Sequence, residues 1–356
     1  MYRPAKAYIH LPALRHNLQV VKNLAPQSKV LAVIKANGYG HGINRVAHQF
    51  NSADGFAVAC IDEAIVLRQK GFLHRILLLE GLFSEAEIPL VYQHRLDLVV
   101  HSFHQLDWLL NSQYQAAINV WVKIDSGMHR LGFDPEDVSG VVEQLEQSDK
   151  AFQIHLISHL ASADESEAFT MKQIDCFEST TKVYSYPKSL ANSAGLQEFK
   201  QAQYQWVRPG IMLYGAGQCE SCHPHLKPAM TLVSEIIGLK KVSKGEYVGY
   251  GNTWQAERDT EVGIVAIGYG DGYPRHAPSG TPVLIHGQRV PLIGRVSMDM
   301  ICVDLTDLSK KAHIGDEAIL WGDKSLSVDE IAECAGTIGY ELLCGITQRV
   351  PIIEVQ

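Results

Sequence analysis

The chain has 356 residues, 46% hydrophobic and 20% charged, the make-up of a folded protein long enough for two domains. Its 31 Lys and Arg against 39 Asp and Glu give a formal net charge of -8, and no basic run argues for a nucleic-acid partner. No stretch reaches the ~18 consecutive apolar residues of a membrane span. The opening MYRPAKAYIHLPALRHNL lacks a secretory pattern, and seven cysteines suit free thiols better than a disulfide framework. The expectation is therefore cytoplasmic, with no membrane partner.

Short apolar runs recur through the first two-thirds: VLAVIK (30–35), GFAVAC (55–60), RILLLE (75–80), LDLVVH (96–101), INVWVKID (118–125), IHLISHL (154–160), SLANSAG (189–195) and WVRPGIMLYG (206–215). Near-continuous apolar character is how strands covered on both faces read, and the seventh run matches least well. Helix signals lie between them. Asp62 is placed to cap EAIVLRQKG, with Gly71 as its stop. Ser84 and Glu87 have capping-box spacing, Ser102 precedes FHQLDWLLNS, and Asp134-Pro135 opens a segment ending near Gln147. Eight strand–helix alternations predict an α/β fold with an N-terminal (β/α)8 TIM-like barrel over 1–225; a doubly wound open sheet shares the local rhythm.

From 226 to 356 the rhythm changes to apolar alternation broken by Gly and Pro: MTLVSEIIGLKKV, EVGIVAIGYGDGY, TPVLIHGQRVPLIG. This reads as a mostly-β C-terminal domain, with SVDEIAECA (327–335) as its one short helix. Between the domains, Cys219-Glu-Ser-Cys222-His223-Pro-His225 is a literal CxxCH. A haem reading needs an exported chain, and one CxxC without a second pair is weak for zinc. It is read as a polar connection, and no metal is expected.

Lys35 ends the first run and is followed by Ala-Asn-Gly-Tyr-Gly-His-Gly. The end of a barrel strand is where barrel active sites lie. A lysine in a desolvated pocket can condense with an aldehyde, and glycines let a ligand such as phosphate approach the backbone. Composition alone allows the plainer reading of an exposed lysine before a flexible turn.

AVIKANGYGHG is more specific than its composition: it resembles the cofactor-lysine signature of alanine racemases. VKIDSGMHRLGF (122–133), ISHLASAD (157–164), ANSAG (191–195), VRPGIMLYG (207–215), VGYGNTW (248–254), AIGYGDGYPR (266–275), IGRVSMDM (293–300) and IGYELLC (338–344) resemble further segments of that family, in order along nearly the whole chain. The resemblance implies a fold-type III enzyme using pyridoxal 5'-phosphate, with the first ten or so residues pairing with the C-terminal domain. It also implies a homodimer with shared active sites and alanine as the small-molecule substrate.

Residue by residue, it implies Lys35 and Tyr250 as catalytic bases for opposite enantiomers, Tyr250 coming from the partner subunit. A phenol acts as a base at neutral pH only beside cations. Arg208 would face the pyridine nitrogen with His159 orienting it. Tyr39, Ser193, Gly210, Ile211 and Tyr340 would cradle the phosphate, where hydroxyls and backbone N–H groups suit a dianion. Arg130 and Met298 would meet the substrate. Lys123 would support Arg130, as a carbamate in many family members, and Asp299 would support the Met298 loop. Tyr269 and Arg275, with Tyr340, would narrow the approach to favour a small zwitterion. Ser297 stands where many members have Cys, and two signature positions carry Gly where Ala is common.

The expected activity is interconversion of L- and D-alanine, supplying D-alanine for peptidoglycan or serving alanine catabolism. A broad-specificity or serine racemase differs by the volume near Tyr340 and Tyr269. A decarboxylase of the same fold type or a non-catalytic pyridoxal-phosphate carrier would lack the VGYG tyrosine set, and a sugar-phosphate barrel would stay colourless with the cofactor.

Overall fold

The computed structural model describes residues 3–217 and 225–356. Eighteen strands are present among them: β1 Lys6–His10, β2 Lys29–Val33, β3 Gly55–Val58, β4 Arg75–Leu78, β5 Asp97–Val100, β6 Ile118–Lys123, β7 Phe152–Ile157, β8 Lys188–Ser189, β9 Trp206–Val207, β10 Met230–Val242, β11 Tyr247–Val248, β12 Trp254–Gln255, β13 Thr260–Val265, β14 Pro282–Ile285, β15 Gln288–Ile293, β16 Ile301–Asp304, β17 Glu317–Trp321 and β18 Ile352–Val355. The α-helices are α1 Leu11–Leu24, α2 Lys35–Tyr39, α3 Ile43–Gln49, α4 Ile61–Gln69, α5 Ile88–His94, α6 Phe103–Asn111, α7 Val138–Glu146, α8 Glu167–Thr181, α9 Ser193–Glu198, α10 Val328–Cys334 and α11 Gly339–Cys344.

Strands β2 to β9 close into an eight-stranded barrel, every neighbouring pair parallel, with β9 returning to β2. The eight apolar runs thus become the eight staves, and the open-sheet alternative is excluded. At the strand starts the interior is filled by a polar and aromatic plug. Asp97, 4% exposed, accepts from Arg75 at 2.8 Å, Asn119 at 2.9 Å and Trp121 at 3.0 Å. His155 stacks on Trp121, and Arg75 lies over the Trp206 ring. With that end plugged, the opposite end is the one open to chemistry.

The other compact unit comprises Met1–Leu14, Tyr214–Ala216 and Lys227–Gln356. Its sheet runs β13-β16-β15-β14-β17-β10-β1-β18, with β10 also pairing β13. Strand β1 is antiparallel to β10 and parallel to β18. A two-stranded ribbon, β11 with β12, stands apart from that sheet.

Several local expectations shift. Cys60, not Asp62, is the N-cap of α4, and Asp62 lies in its first turn. Asp134-Pro135 leads into a turn, so α7 starts at Val138. The SLANSAG run yields a two-residue strand, because Asn192 accepts from the Gly195 N–H at 2.9 Å and caps α9 from Ser193. The C-terminal unit carries a second short helix, α11, beside α10. The cysteine cluster, apart from His225, lies outside the described residues.

Candidate active site

Lys35 stands two residues beyond β2 and opens a turn of the unusual hand. Ala36, Asn37, Gly38, Tyr39 and Gly40 all have positive φ, from 51° to 79°. For residues other than glycine this costs about 1–2 kcal/mol each. The surroundings impose it. Gly38 N–H donates to Ile34 O at 2.9 Å, Gly42 N–H to Asn37 O at 2.8 Å, and Ile43 N–H to Asn37 Oδ1 at 2.9 Å. The fully buried His41 holds its Nδ1 2.7 Å from Tyr39 O. Only glycine fits at 38, since a Cβ there would lie 2.7 Å from Val46 Cγ2. Strain of this kind gathers where backbone placement is part of a mechanism.

The turn buries Tyr39 and brings its hydroxyl 2.6 Å from where a Cβ on Gly210 would stand. Beside it, the buried Ser193 Oγ accepts from Gly210 N–H at 2.9 Å and Met212 N–H at 3.4 Å. Ile211, also buried, opens the 3-10 turn Ile211–Tyr214. The hydroxyls of Tyr39 and Ser193 and the N–H groups of Gly210 and Met212 meet around a position that lacks a Cβ, a chemistry that suits a phosphate dianion.

Arg208, 4% exposed, follows β9. It donates to Ser189 Oγ at 2.6 Å and Ser158 O at 2.5 Å, and its Nη2 lies 3.4 Å from His159 Nδ1. Burial pushes the Arg208 guanidinium down to about 9, still protonated at neutral pH. Burial, then the charges of Arg208, Lys123, Arg130 and Lys35, hold His159 neutral, well below its usual range. The end of β6 carries Lys123, which burial and then Arg208 and Arg130 lower to about 8, with Glu80 acting the other way. Arg130 is exposed on the following loop, which Asp125 shapes by accepting the N–H groups of Gly127 at 2.9 Å and His129 at 3.0 Å. Lys123, Met128, Arg130, Leu131, Ser158 and His159 line one cleft. Lys35, Tyr39, Lys123, Arg130, His159, Ser193, Arg208, Gly210 and Ile211 all belong to the barrel unit.

Sequence reasoning missed Gln173, which organises this mouth from α8. Its Oε1 accepts Ala161 N–H at 2.8 Å, and its Nε2 donates to His159 O at 3.1 Å and Ser126 Oγ at 3.5 Å. Ser126 Oγ lies 2.8 Å from Ser158 Oγ, which donates to Ile124 O at 2.7 Å. A signal existed: Thr170, Gln173, Ile174, Phe177 and Thr181 form the buried stripe of α8 at helical spacing, and an amide on such a stripe needs partners.

Tyr250, Tyr269, Arg275, Met298, Asp299 and Tyr340 belong to the other unit. Tyr250 tops the β11–β12 ribbon and is 69% exposed. Glycines at 249 and 251 let its turn pass against Arg295, and both have positive φ. Tyr269 and Met298 come together: Tyr269 N–H donates to Ser297 O at 3.1 Å and Gly270 N–H to Met298 O at 2.9 Å. Both side chains point outward, 40% and 52% exposed. Asp299 pairs with Arg349, which with Arg3 holds it below the usual carboxylate range. Arg275 is exposed, and Tyr340 lies on α11.

A profile of the alanine racemase N-terminal domain matches residues 9–218, and one of the C-terminal domain matches 229–354. The chain belongs to the alanine racemase family. It is 48% identical to an alanine racemase of Coxiella burnetii over 362 aligned residues, 99% of both chains. It is 48% identical to that of Vibrio cholerae, over 98% of this chain and 97% of the relative. The biosynthetic alanine racemase of Pseudomonas aeruginosa superposes with a TM-score of 0.96 at 46% identity, covering 99% of this chain and 100% of that one. Membership makes the chain an isomerase of the racemase class, in a family that depends on pyridoxal phosphate.

Proposed function

We propose that this racemase interconverts L- and D-alanine on pyridoxal 5'-phosphate, with Lys35 and Tyr250 as its two bases. The observation that carries this is Lys35 at the head of a left-handed turn that brings the Tyr39 hydroxyl 2.6 Å from where a Cβ on Gly210 would stand. The cradle's hydroxyls and N–H groups fit the phosphate, and Lys35 is the amine that can hold the aldehyde. When bound, the cofactor supplies the sink for the electron pair left as the Cα proton departs.

The chain's own groups do the rest. Lys35 moves the proton on one face of Cα, and the phenol of Tyr250 moves it on the other. Arg208 keeps its own proton and so gives none to the pyridine nitrogen, which restrains side reactions. Arg130 receives the substrate carboxylate, supported by Lys123 as a carbamate, for which the lowered Lys123 amine is suited. Tyr269, Arg275 and Tyr340 restrict the approach to small zwitterions.

The exposure of Tyr250, Tyr269 and Met298 supports a homodimer in which each subunit lends these residues to the other's site. Domains of 1–225 and 226–356, with the first strand joining the second, accommodate that exchange. No helix among the described residues is long and apolar enough to cross a membrane; a cytoplasmic location is part of the proposed reading. The biosynthetic designation of the Pseudomonas aeruginosa relative favours supply of D-alanine for peptidoglycan.

The test is to follow L-alanine and then D-alanine by circular dichroism with the cofactor-loaded protein. Both should approach the racemic mixture, and Lys35→Ala should abolish both reactions and the visible band of lysine-bound cofactor. Full cofactor occupancy without conversion from either side would overturn the reading.

A further inference from the structure

Two arginines absent from the roles above converge on the segment that presents Met298. Asp271 is fully buried in the C-terminal unit, at the end of the 3-10 turn Tyr269–Asp271. One of its oxygens accepts Gly268 N–H at 3.0 Å, closing that turn. Arg3 forks onto the same carboxylate, Nε at 3.0 Å and Nη2 at 2.6 Å, and donates to the backbone oxygen of Asp299 at 2.8 Å. Arg349 reaches both carboxylates: its Nε lies 3.3 Å from Asp271 Oδ1 and its Nη2 2.5 Å from Asp299 Oδ1.

Four stretches far apart in sequence are thereby tied together: Arg3, the 268–272 turn, the 297–300 loop and Arg349. Backbone bonds from Tyr269 and Gly270 to Ser297 and Met298 fasten turn to loop directly. The fit is tight. A Cβ on Gly268 would overlap the carbonyl oxygens of Ser297 and Met298, and one on Gly270 would strike the Arg349 guanidinium. Forked, charge-assisted bonds fix orientation as well as distance, and a buried carboxylate left unpaired is costly, so the arrangement resists loosening.

We propose that Arg3 and Arg349, spanning Asp271 and Asp299, are positioning residues that hold Met298 and Tyr269 in the arrangement that receives substrate. The inference rests on the reading that Met298 and Tyr269 meet substrate at the site. The clamp acts through them and touches neither cofactor nor substrate, so loosening it weakens substrate binding and selectivity while leaving cofactor capture intact.

The experiment compares Arg349→Gln, Arg349→Lys, Arg3→Gln and Met298→Ala as cofactor-loaded proteins. It reads KM, kcat, the ratio of serine to alanine turnover, cofactor affinity from the visible band, and the melting temperature. Arg349→Gln and Arg3→Gln should raise the alanine KM ~10-fold and change kcat less than ~3-fold, the pattern of lost binding shared equally by ground and transition states. The serine-to-alanine ratio should rise and cofactor affinity should hold. Arg349→Lys keeps the charge but cannot fork to two carboxylates, so it should resemble Arg349→Gln. The half-exposed Arg349 tolerates replacement, and Arg3→Gln reads the same clamp from its other end should one variant fold poorly. If Met298→Ala raises KM while the arginine variants leave KM and selectivity unchanged, the clamp proposal is overturned. If Met298→Ala itself leaves KM unchanged, the reading of that loop as substrate-facing fails, and the clamp role falls with it.

Discussion

The hydroxyl of Tyr39 stands 2.6 Å from the position that a Cβ on Gly210 would occupy. Gly210 does not need positive φ, so close approach alone demands glycine there. Gly210→Ala should therefore leave the barrel folded and displace Tyr39 from the cradle. Titration of the apoprotein with pyridoxal phosphate, read by its visible band, should show affinity lowered ~10-fold or more, at least ~1.4 kcal/mol. Unchanged affinity would mean that the Tyr39 hydroxyl takes no part in holding the phosphate.

Tyr250→Phe should bind cofactor normally and lose ~10²–10⁴-fold in kcat, the usual worth of one general acid–base. A sharper measurement tests the proposal that Tyr250 serves the site of a second copy. Mixing Lys35→Ala with Tyr250→Phe subunits, each inactive alone, should form hybrids with one intact site. Random pairing predicts recovery of about a quarter of the native activity. No recovery after verified subunit exchange would show that each site is built within one chain.

Lys123 is lowered to about 8, so an appreciable share of its amine is neutral in the range where an ordinary lysine is charged. A carbamate forms only from the neutral amine. Protein equilibrated with ¹³C-bicarbonate at pH 8.5 should show a carbamate signal by NMR that fades toward pH 6.5 and is missing from Lys123→Arg. The same signal in Lys123→Arg would assign it elsewhere.

Burial lowers His41 to about 4, so it stays neutral in the folded protein while the unfolded chain protonates near 6.5. The unfolded state then binds more protons, and stability falls as pH drops from about 6.5 toward 4. This histidine contributes on the order of 3 kcal/mol to that loss. Urea melts between pH 7 and 4.5 should show a flatter decline for His41→Asn than for the native protein; identical slopes would exclude His41 as a source of the acid sensitivity.

Gln173→Leu would strand the Ala161 N–H and the His159 carbonyl, at about 1–3 kcal/mol. Because His159 neighbours Arg208, kcat should fall as well as the melting temperature, which a purely structural amide would not require. An unchanged kcat at full cofactor occupancy would confine Gln173 to stability.

How much of this was legible follows from what each signal depends on. The barrel was readable because β2 to β9 are covered on both faces and their apolar runs stay continuous. The seventh run was the weakest because Asn192 diverts it into α9 after two residues of strand. Helix starts moved where the N-cap residue makes no side-chain capping bond, as at Cys60. The candidate site was legible where motifs are local, as around Lys35. Gln173, Arg3, Asp271 and Arg349 were not, because each gains meaning from partners distant in sequence. The left-handed run from Ala36 to Gly40 was hinted at by its glycines, but Ala36 and Tyr39 adopt it only because the surrounding bonds enforce it.

The place of β1 in the C-terminal sheet sets an order of events during synthesis. Lys6 pairs with Val233 and Ala7 with Ile352, so β1, made before every other strand of its sheet, must wait for β18. At about 5–20 residues per second the interval is tens of seconds. Meanwhile the barrel segments emerge and can close with their own neighbours. The waiting strand is a lone apolar edge seeking a sheet, the kind of element that chaperones shield and that mispairs between nascent chains. Tethering β1 last makes assembly of this sheet depend on β10 and β18: a product that stops before them could close its barrel and still leave β1 without the sheet that receives it.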